Sequence, residues 1–446
     1  MAAPESLAAD ARSTLRLDEA LRPARRTIGP AEPGPEPPAV DDGTGPSRAI
    51  HDAQQTTRLP GRLVRAEGGP ARGDVAADEA YDGLGATWRL LHDALGRDSL
   101  DDQGLGLLAS VHYGRKYLNA FWDGSQMVFG DGDGRLFNRF TASLDVIAHE
   151  LAHGITDYTA GLNYQGQSGA LNEHISDVFG VVTKQYALRQ DAAEADWLVG
   201  AELLGPDVRG MALRSMAAPG TAYDDPQLGS DPQPGTMSDY VTTTDDYGGV
   251  HINSGIPNKA FHVLAAGLGG PAWGAPLQIW YDVLTGDIRA DCDFATFAHL
   301  TTAAAQARFG GASREADAVV AAWAAVEVTP RAARTPTRRP APVPAPSPVP
   351  APSWTTRVDV RRTGGFAGLT QEASVQLGDL SDEDATAWHA LLAERRLQTL
   401  AGVEADAVPD AYSYGVRCDH PETDVTLPEP TLPEDVRDLF DRTLDS

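Results

Sequence analysis

The sequence predicts an α+β protein, and three features of its 446 residues support that prediction. Short β-rich runs with Gly and Asp turns occupy residues 50–158, as at Leu107–His112 and Ala120–Phe129. Helical periodicity dominates from about residue 168 to residue 328. A proline-rich stretch then precedes a smaller region with its own strand and helix patterns. We expect a β-rich N-terminal lobe, a helical C-terminal lobe, and a separate small α+β domain.

Composition predicts four regions: 1–48, 49–328, 329–353 and 354–446. Leu7, Ala11 and Leu15 have helical spacing and precede the Pro- and Gly-rich stretch Gly29–Pro46, which predicts a short helix on a tether. Thr329–Pro352 cannot pack a core and predicts a semi-rigid polyproline linker. In the last region the patterns predict, in order, a strand at Thr356–Val360, a loop at Gly364–Leu369, a helix at Asp382–Leu400, a strand at Tyr412–Cys418 and a helix at Pro433–Leu444.

Charge and composition exclude several classes of function. The chain has 36 Lys and Arg against 63 Asp and Glu, a net charge of −27, which argues against nucleic acid or anionic membrane as a partner. Residues 1–10 lack a Sec-type signal and no stretch is long enough to span a bilayer, so we expect a cytoplasmic protein or export without a Sec signal. Cys292 and Cys418 lie in different predicted domains and are read as free thiols rather than a disulfide.

The strongest motif is His149-Glu150-Leu151-Ala152-His153. On a helix, His149 and His153 share a face and can bind one metal, while Glu150 reaches a water on it. Glu173, on a second apolar-periodic stretch, would complete a set of two His and one carboxylate that is typical of catalytic zinc. Asp177 faces the same way and can accept the outer N–H of a zinc histidine. A chance match is the alternative, and the second helix with its carboxylate argues against it.

These two segments resemble the zinc helix and the glutamate helix of the thermolysin family of metallopeptidases, most closely its protealysin branch. The resemblance runs from about Ile50 to Val328. Other matching motifs are Leu59-Pro60-Gly61, Asp78-Glu79-Ala80-Tyr81-Asp82, Asn119-Ala120-Phe121-Trp122, Gly130-Asp131-Gly132-Asp133-Gly134 and His251-Ile252-Asn253-Ser254-Gly255. The resemblance implies a thermolysin-like two-lobe fold with the zinc helix between the lobes, and one catalytic Zn²⁺.

The resemblance also implies roles for individual residues. Glu150 would act as general base and then general acid, and Tyr164 and His251 would donate to the transition-state oxyanion. Asp246 matches the carboxylate that orients that histidine, and Asn172 matches a partner of the second zinc histidine. An ordinary buried histidine is the alternative for His251 alone.

Substrate contacts follow from the same correspondence. Asn119 and Ala120 would pair with an extended peptide backbone. Arg214 would hold the carbonyl of the scissile residue, with a surface ion pair as the alternative. The positions that would line the pocket after the scissile bond are Phe137, Phe140, Val146 and Leu213. Cleavage should therefore fall before a bulky apolar residue.

Calcium is where the sequence departs from thermolysin itself. Asp145 and Asp196 match two acids of its double calcium site, but Lys184, Leu198 and Ala201 stand where carboxylates are needed. Ca²⁺ therefore stays possible elsewhere, but we expect no double calcium site.

The two terminal regions also resemble known elements, an inhibitor domain at the C-terminal end and a propeptide at the N-terminal end. The run from Val360 to Leu369, with Asp410-Ala411-Tyr412, resembles emfourin, a small protein inhibitor of protealysin-like enzymes. It implies an intramolecular inhibitor domain at 354–446, with a solubilising or docking domain as the alternative. Residues 1–48 are placed like a propeptide but lack a Pro-Pro-Tyr-type element, so a disordered tail is the alternative.

The sequence thus predicts a zinc-dependent endopeptidase that acts on peptides and proteins, cleaves on the N-terminal side of bulky apolar residues and is inhibited by its own C-terminal domain. One rival is a catalytically silent binding protein with a structural zinc. Another is a narrow peptidase that acts on one partner protein.

Overall fold

The structure is a computed structural model, and it describes residues 45–243, 245–332, 356–365, 370–393, 396–401, 410, 412–419, 422–428 and 432–444. Our predictions for the N-terminal helix and for most of the proline-rich linker lie outside these residues. The chain divides into two compact units. The first contains 1–163, 167–241 and 250–331, and the second contains 164–166, 242–249 and 332–446.

The described part of the first unit starts with a five-stranded sheet. Its strands are β1 (Arg48–Asp52), β2 (Arg62–Ala66), β3 (Leu107–Val111), β4 (Ala120–Trp122) and β5 (Met127–Phe129), in the order β2-β1-β3-β5-β4. The predicted run Ala120–Phe129 is interrupted because Asp123 Oδ1 accepts hydrogen bonds from the amides of Ser125 and Gln126 and folds a turn. This turn makes β4 the antiparallel partner of β5 and places β4 at one edge of the sheet.

The helices of the first unit from about residue 168 onward lie where periodicity predicted them, but a 21-residue helix, Val75–Leu95, lies in the stretch 50–158 where we predicted short β-rich runs; Asp74 caps it by accepting from the amide of Ala77. They are α1 (Val75–Leu95), α2 (Leu144–Asp157), α3 (Gly166–Leu188), α4 (Asp246–Asn253), α5 (Gly255–Leu268), α6 (Ala275–Leu284), α7 (Phe294–Phe309) and α8 (Arg314–Ala325), although α3 and α4 begin on residues of the second unit. Short two-stranded ladders join β6 (Leu198–Val199) to β7 (Arg214–Ser215) and β8 (Asp224–Asp225) to β9 (Gly229–Ser230). Ser313 caps α8 by accepting from the amide of Ala316. Trp280 and Trp323 stack in the core of the helices, with ring centroids 6.0 Å apart.

The described residues of the second unit form a four-stranded antiparallel sheet and three helices. The strands are β10 (Arg357–Gly364), β11 (Gln371–Gln376), β12 (Tyr412–Asp419) and β13 (Glu422–Pro428), in the order β11-β10-β12-β13, and the helices are α9 (Asp382–Ala393), α10 (Arg396–Ala401) and α11 (Glu434–Leu444). The C-terminal region has its own apolar core around Val360, Trp388 and Phe440. We did not predict β11 or β13, because each has only one short apolar–polar–apolar alternation, Ala373-Ser374-Val375 or Val425-Thr426-Leu427, in an otherwise largely polar sequence.

Candidate active site

Helix α2 presents the two histidines of the motif on one face. His149 and His153 are fully buried, and their Nε2 atoms lie 3.2 Å apart. Helix α3 comes close to α2 at Gly180, where an added Cβ would lie 2.5 Å from the carbonyl oxygen of Asp145. A side chain there would push the helices apart, so this glycine lets α3 bring its carboxylates to the histidines.

Glu173 on α3 reaches both histidines. Its Oε2 lies 3.5 Å from His149 Nε2 and its Oε1 lies 3.7 Å from His153 Nε2. One ligand atom from each of the three residues falls within 4.8 Å of the others. Two imidazole nitrogens and one carboxylate oxygen form the donor set of a catalytic zinc site. The described residues therefore fit one zinc ion.

The outer nitrogen of each histidine contacts an acceptor. His149 Nδ1 lies 2.9 Å from Asp177 Oδ1, and His153 Nδ1 lies 2.9 Å from Asn172 Oδ1. Each Nδ1 therefore carries the proton, which leaves Nε2 with the lone pair that a metal needs. Burial alone would lower the pKa of His149, but the hydrogen bonds to Asp177 and Glu173 raise it to about 9. This carboxylate environment favours a positive charge at His149, which either a proton or a metal ion supplies.

Arg214 lies behind this pair. Its Nη2 and Nε donate to Asp177 Oδ1 and Oδ2 at 2.7 and 3.0 Å. Burial alone would raise the pKa of Asp177, but the charge of Arg214 and the hydrogen bond to His149 hold it well below its usual range. Arg214 is only 5% exposed, so the ion pair that it forms with Asp177 is buried and does not lie on the surface.

The predicted catalytic residues are divided between the units. Glu150 is fully buried on α2, and His251 Nε2 lies 3.5 Å from Glu173 Oε2 in the first unit. Tyr164 and Asp246 belong to the second unit. The ring of Tyr164 meets that of Tyr247 edge-on at 5.5 Å, so the segments that carry Tyr164 and Asp246 are neighbours.

The C-terminal domain contacts both of these short segments within the second unit. The amide of Asp410 donates to the Tyr164 hydroxyl at 3.2 Å, and the amide of Asp246 donates to Thr363 Oγ1 at 2.8 Å. Arg361 forms an ion pair with Asp245. The Tyr247 hydroxyl also donates to the carbonyl of Tyr412 at 3.2 Å, so four separate positions of the described part of the domain are bound to the two segments.

The predicted substrate-binding residues are all buried, and they belong to the first unit. Ala120 begins the edge strand β4, and the carbonyl of Asn119 accepts from the amide of Gly130. The rings of Phe137 and Phe140 lie 6.0 Å apart. Val146 lies on α2, and Leu213 directly precedes β7 and packs against Gly200.

Lys184 lies beside Asp145 and Asp196, the two acids that match the double calcium site of thermolysin. Its Nζ lies 2.8 Å from Asp145 Oδ2, 2.8 Å from the carbonyl of Leu198 and 3.2 Å from Asp196 Oδ1. Burial alone would lower the pKa of Lys184, but the charge of Asp145 and the hydrogen bond to it raise that pKa. An ammonium group is therefore bound by three oxygens in this cluster.

Sequence reasoning missed three buried residues behind Asp177, namely His174, Asn258 and Trp280. Burial lowers the pKa of His174 to about 4, so its ring is neutral. The only signal was a histidine and an asparagine inside apolar helical stretches, which does not reveal that they meet.

Comparisons with known proteins agree with this fold and site. Residues 42–157 match the catalytic domain of the thermolysin metallopeptidases, residues 160–328 match their α-helical domain, and residues 360–444 match Emfourin. The chain is 54% identical over 300 residues to an extracellular metalloprotease of Pectobacterium carotovorum subsp. carotovorum, which covers 67% of this chain and 86% of that protein. It is 39% identical to a thermolysin of Alicyclobacillus acidocaldarius subsp. acidocaldarius but spans only 52% of it.

A solved structure is also similar. The precursor of protealysin from Serratia proteamaculans superposes with a TM-score of 0.64 and 51% identity, over 71% of this chain and 98% of that one. A two-helix zinc site in this fold defines a metallohydrolase, and the chain belongs to the thermolysin family of metallopeptidases, with an Emfourin domain at its C-terminal end. It is a zinc metalloendopeptidase, and the predicted fold class is confirmed. None of the helices in the described part of the chain has both the length and the apolar run needed to cross a membrane.

Proposed function

We propose that the chain hydrolyses peptide bonds on the N-terminal side of bulky apolar residues, with one zinc ion held by His149, His153 and Glu173. The main observation that supports this proposal is that one ligand atom of each of these three residues lies within 4.8 Å of the others. When bound, zinc polarises the scissile carbonyl and lowers the pKa of its water toward about 7. Glu150 accepts the proton of the attacking water and then donates it to the leaving amine.

The oxyanion that develops at the carbonyl needs further donors. We assign this role to the Tyr164 hydroxyl and the His251 imidazole, with Asp246 holding the histidine in its donating form. Asp177 and Asn172 would fix the tautomers of the zinc histidines, and both hydrogen bonds are 2.9 Å long. Arg214 would reach the substrate carbonyl while it stays paired with Asp177.

For the substrate we propose an extended peptide that adds to the edge strand β4 at Asn119 and Ala120. Supporting this, β4 is the last strand at its edge of the sheet among the described residues. The pocket for the residue after the scissile bond would be lined by Phe137, Phe140, Val146 and Leu213. A peptide library with mass-spectrometric readout should show cleavage before Leu and Phe, and Leu213→Ala should broaden that preference. Cleavage of a single protein, with no library peptide cut, would instead support a narrow peptidase.

We further propose that residues 354–446 inhibit the enzyme within the same chain. Supporting this, the domain binds the segments that carry Tyr164 and Asp246, two residues to which we assign roles in catalysis. A proline-rich tether gives the domain an effective concentration of about millimolar, so even weak binding keeps it bound. A solubilising domain would have no need to contact either segment.

One pair of variants tests the inhibition in the full chain. Arg361→Glu places a carboxylate against Asp245 and should raise the initial rate of peptide hydrolysis per bound zinc. Arg417→Glu is the matched control, because Arg417 is an arginine of the neighbouring strand that pairs with Asp424 instead. A chain ending at Val328 should be at least as active as Arg361→Glu. If all three have the wild-type specific activity, the domain does not inhibit.

We also propose that the enzyme acts outside the cell, as the name of the Pectobacterium relative says of that protein. Fractionation of the producing cells, with a cytosolic marker as control, would test it. Protein confined to the cytosolic fraction would contradict it.

A further inference from the structure

A chain of buried hydrogen bonds connects the helical core to the zinc ligand His149. Trp280 Nε1 donates to His174 Nε2 at 2.7 Å. His174 Nδ1 lies 2.8 Å from Asn258 Oδ1, and Asn258 Nδ2 donates to Asp177 Oδ2 at 2.8 Å. Asp177 Oδ1 then contacts His149 Nδ1 at 2.9 Å. Three bonds therefore precede the one that holds the ligand.

The direction of every bond in this chain is fixed by chemistry. An indole N–H only donates, so His174 Nε2 must accept and the proton of that ring must lie on Nδ1. Nδ1 then donates to the carbonyl oxygen of Asn258, which turns the amide nitrogen of Asn258 toward Asp177. A carboxylate only accepts, so Asn258 Nδ2 must be the donor to Asp177, as the order of the other bonds requires.

Packing holds the His174 ring in place. It meets Phe261, Trp280 and Phe297 edge-on, with centroid distances of 6.5, 6.2 and 6.2 Å. These aromatic residues come from α5, α6 and α7, while His174 lies on α3. The helices of the C-terminal part of the first unit therefore define where Asn258 can accept a hydrogen bond.

The Asp177 carboxylate is held by two donors besides His149. Arg214 contacts both of its oxygens, and Asn258 contacts only Oδ2. The amide of Asn258 and the guanidinium of Arg214 therefore fix the rotation of the carboxylate together. That rotation decides whether Oδ1 points at His149.

We propose that Asn258 and His174 are positioning residues of the zinc site, which act through Asp177 on the orientation of the His149 ring. This inference rests on the zinc site of the proposed function. Loss of these hydrogen bonds should weaken zinc binding and lower kcat. It should change KM little, because His174 and Asn258 are both fully buried behind the zinc ligands.

Two tryptophans provide a matched test. Trp280 and Trp323 stack in the same core and each donates one indole hydrogen bond, but Trp323 donates to Thr301 Oγ1 at 2.9 Å, outside the chain. Trp280→Phe removes the hydrogen bond to His174, which is the first bond of the series that ends at His149. Trp323→Phe removes the hydrogen bond to Thr301, which does not belong to that series. Both changes cost packing and one hydrogen bond, so any general loss of stability is shared.

The measurements use the full chain with Glu150→Gln, which prevents self-digestion, and they report zinc affinity by chelator competition and the visible spectrum of the Co²⁺ form. We expect Asn258→Leu to weaken zinc binding about 10-fold or more, within the range for partners of metal ligands. Trp280→Phe should weaken it several-fold and shift the Co²⁺ spectrum, while Trp323→Phe should do neither. In chains that retain Glu150, Asn258→Leu and Trp280→Phe should lower kcat and leave KM within about twofold.

Two outcomes would overturn the inference. One is zinc affinity and a Co²⁺ spectrum in Trp280→Phe that match those of Trp323→Phe. The other is an Asn258→Leu protein that folds, as judged by circular dichroism, and binds zinc as tightly as the parent. If the chain that retains Glu150 binds zinc but hydrolyses no peptide even with Arg361→Glu, the proposed function fails, whereas the metal measurements still decide the positioning role.

Discussion

Two buried clusters of charge lie along the same pair of helices, and each is neutralised differently. His149 and Asp145 lie four residues apart on α2, and Glu173 and Lys184 lie on α3. At the first cluster, imidazoles and a carboxylate converge on a place for a metal ion. At the second cluster, the ammonium of Lys184 is itself the cation, 2.8 Å from Asp145. Buried carboxylates need a positive partner. The first cluster would take a metal ion from solution, whereas the second cluster uses Lys184 of the chain itself.

The difference lies in the ligands that the helices present. The zinc cluster presents nitrogen donors whose outer N–H groups are already fixed by Asp177 and Asn172. The Lys184 cluster presents only oxygens, from Asp145, Asp196 and the Leu198 carbonyl, which is what a hard cation prefers. An ammonium group with three donors can satisfy such a set without any ion. Metal dependence should therefore be confined to the first cluster.

The largest expected effect concerns proton transfer at the first cluster. Glu150→Gln keeps the ligand set and removes only the base, so zinc content should be unchanged while kcat falls by about 10²–10⁴-fold. Metal analysis and steady-state hydrolysis of one peptide measure the two quantities. Near-normal turnover with full zinc occupancy would show that another group moves the proton.

The second expected effect concerns the built-in cation. Lys184→Met leaves Asp145 buried without its partner, which should cost about 3–5 kcal/mol of unfolding free energy. Urea unfolding in the Glu150→Gln background measures it. Lys259→Met is the control, because it makes the same side-chain change at a lysine that is only partly buried. Equal losses in the two variants would show that the charge of Lys184 has no special role.

The parts of these clusters that sequence predicts are the local ones. His149, His153, Glu173 and Asp177 were predicted because helical spacing alone puts them on defined faces. Asn258 and Trp280 were missed, because they meet His174 across 84 and 106 residues of chain. The strand β11 was missed for a different reason, since Gln371–Gln376 pairs through its backbone and has few apolar side chains. Contacts between distant residues leave no local signal, and strands with little apolar alternation leave only a weak one.

The third prediction concerns whether calcium can replace the Lys184 ammonium in the second cluster. Because Lys184 fills it, millimolar calcium should raise the melting temperature of the Glu150→Gln chain by no more than about 2 °C, the shift for about 1 kcal/mol in a large domain. Lys184→Glu replaces the ammonium with a carboxylate, so it should be less stable without calcium and should recover more on calcium addition. A large, saturable shift in the parent chain would show that calcium binds elsewhere, and no recovery in Lys184→Glu would show that the remaining oxygens cannot hold it.

The smallest expected effect uses a third cluster, in which the built-in cation can be titrated. His112 Nδ1 lies 2.8 Å from Asp131 Oδ1 and its Nε2 lies 2.9 Å from Asp74 Oδ2, at the N-terminal cap of α1. The hydrogen bond to Asp131, followed by that to Asp74, outweighs burial and raises the pKa of His112 to about 9. The folded state therefore holds this proton more tightly than the unfolded state, whose histidine titrates near 6.5.

The sign of the pH dependence follows directly. The stabilisation by protonated His112 is complete below about pH 6.5 and is lost as pH rises through about 9, because only then does the folded state release the proton. His112→Asn is the suitable variant, since His112 has a φ of 55° and asparagine tolerates that backbone. Thermal unfolding in the Glu150→Gln background at pH 7 and pH 10 should show that the parent loses about 2 °C more than the variant. Lys184 stays charged over this range because the pKa of that ammonium is raised, so it does not contribute to the difference. Parallel losses in parent and variant would mean that the His112 cluster, unlike the Lys184 cluster, does not depend on its cation.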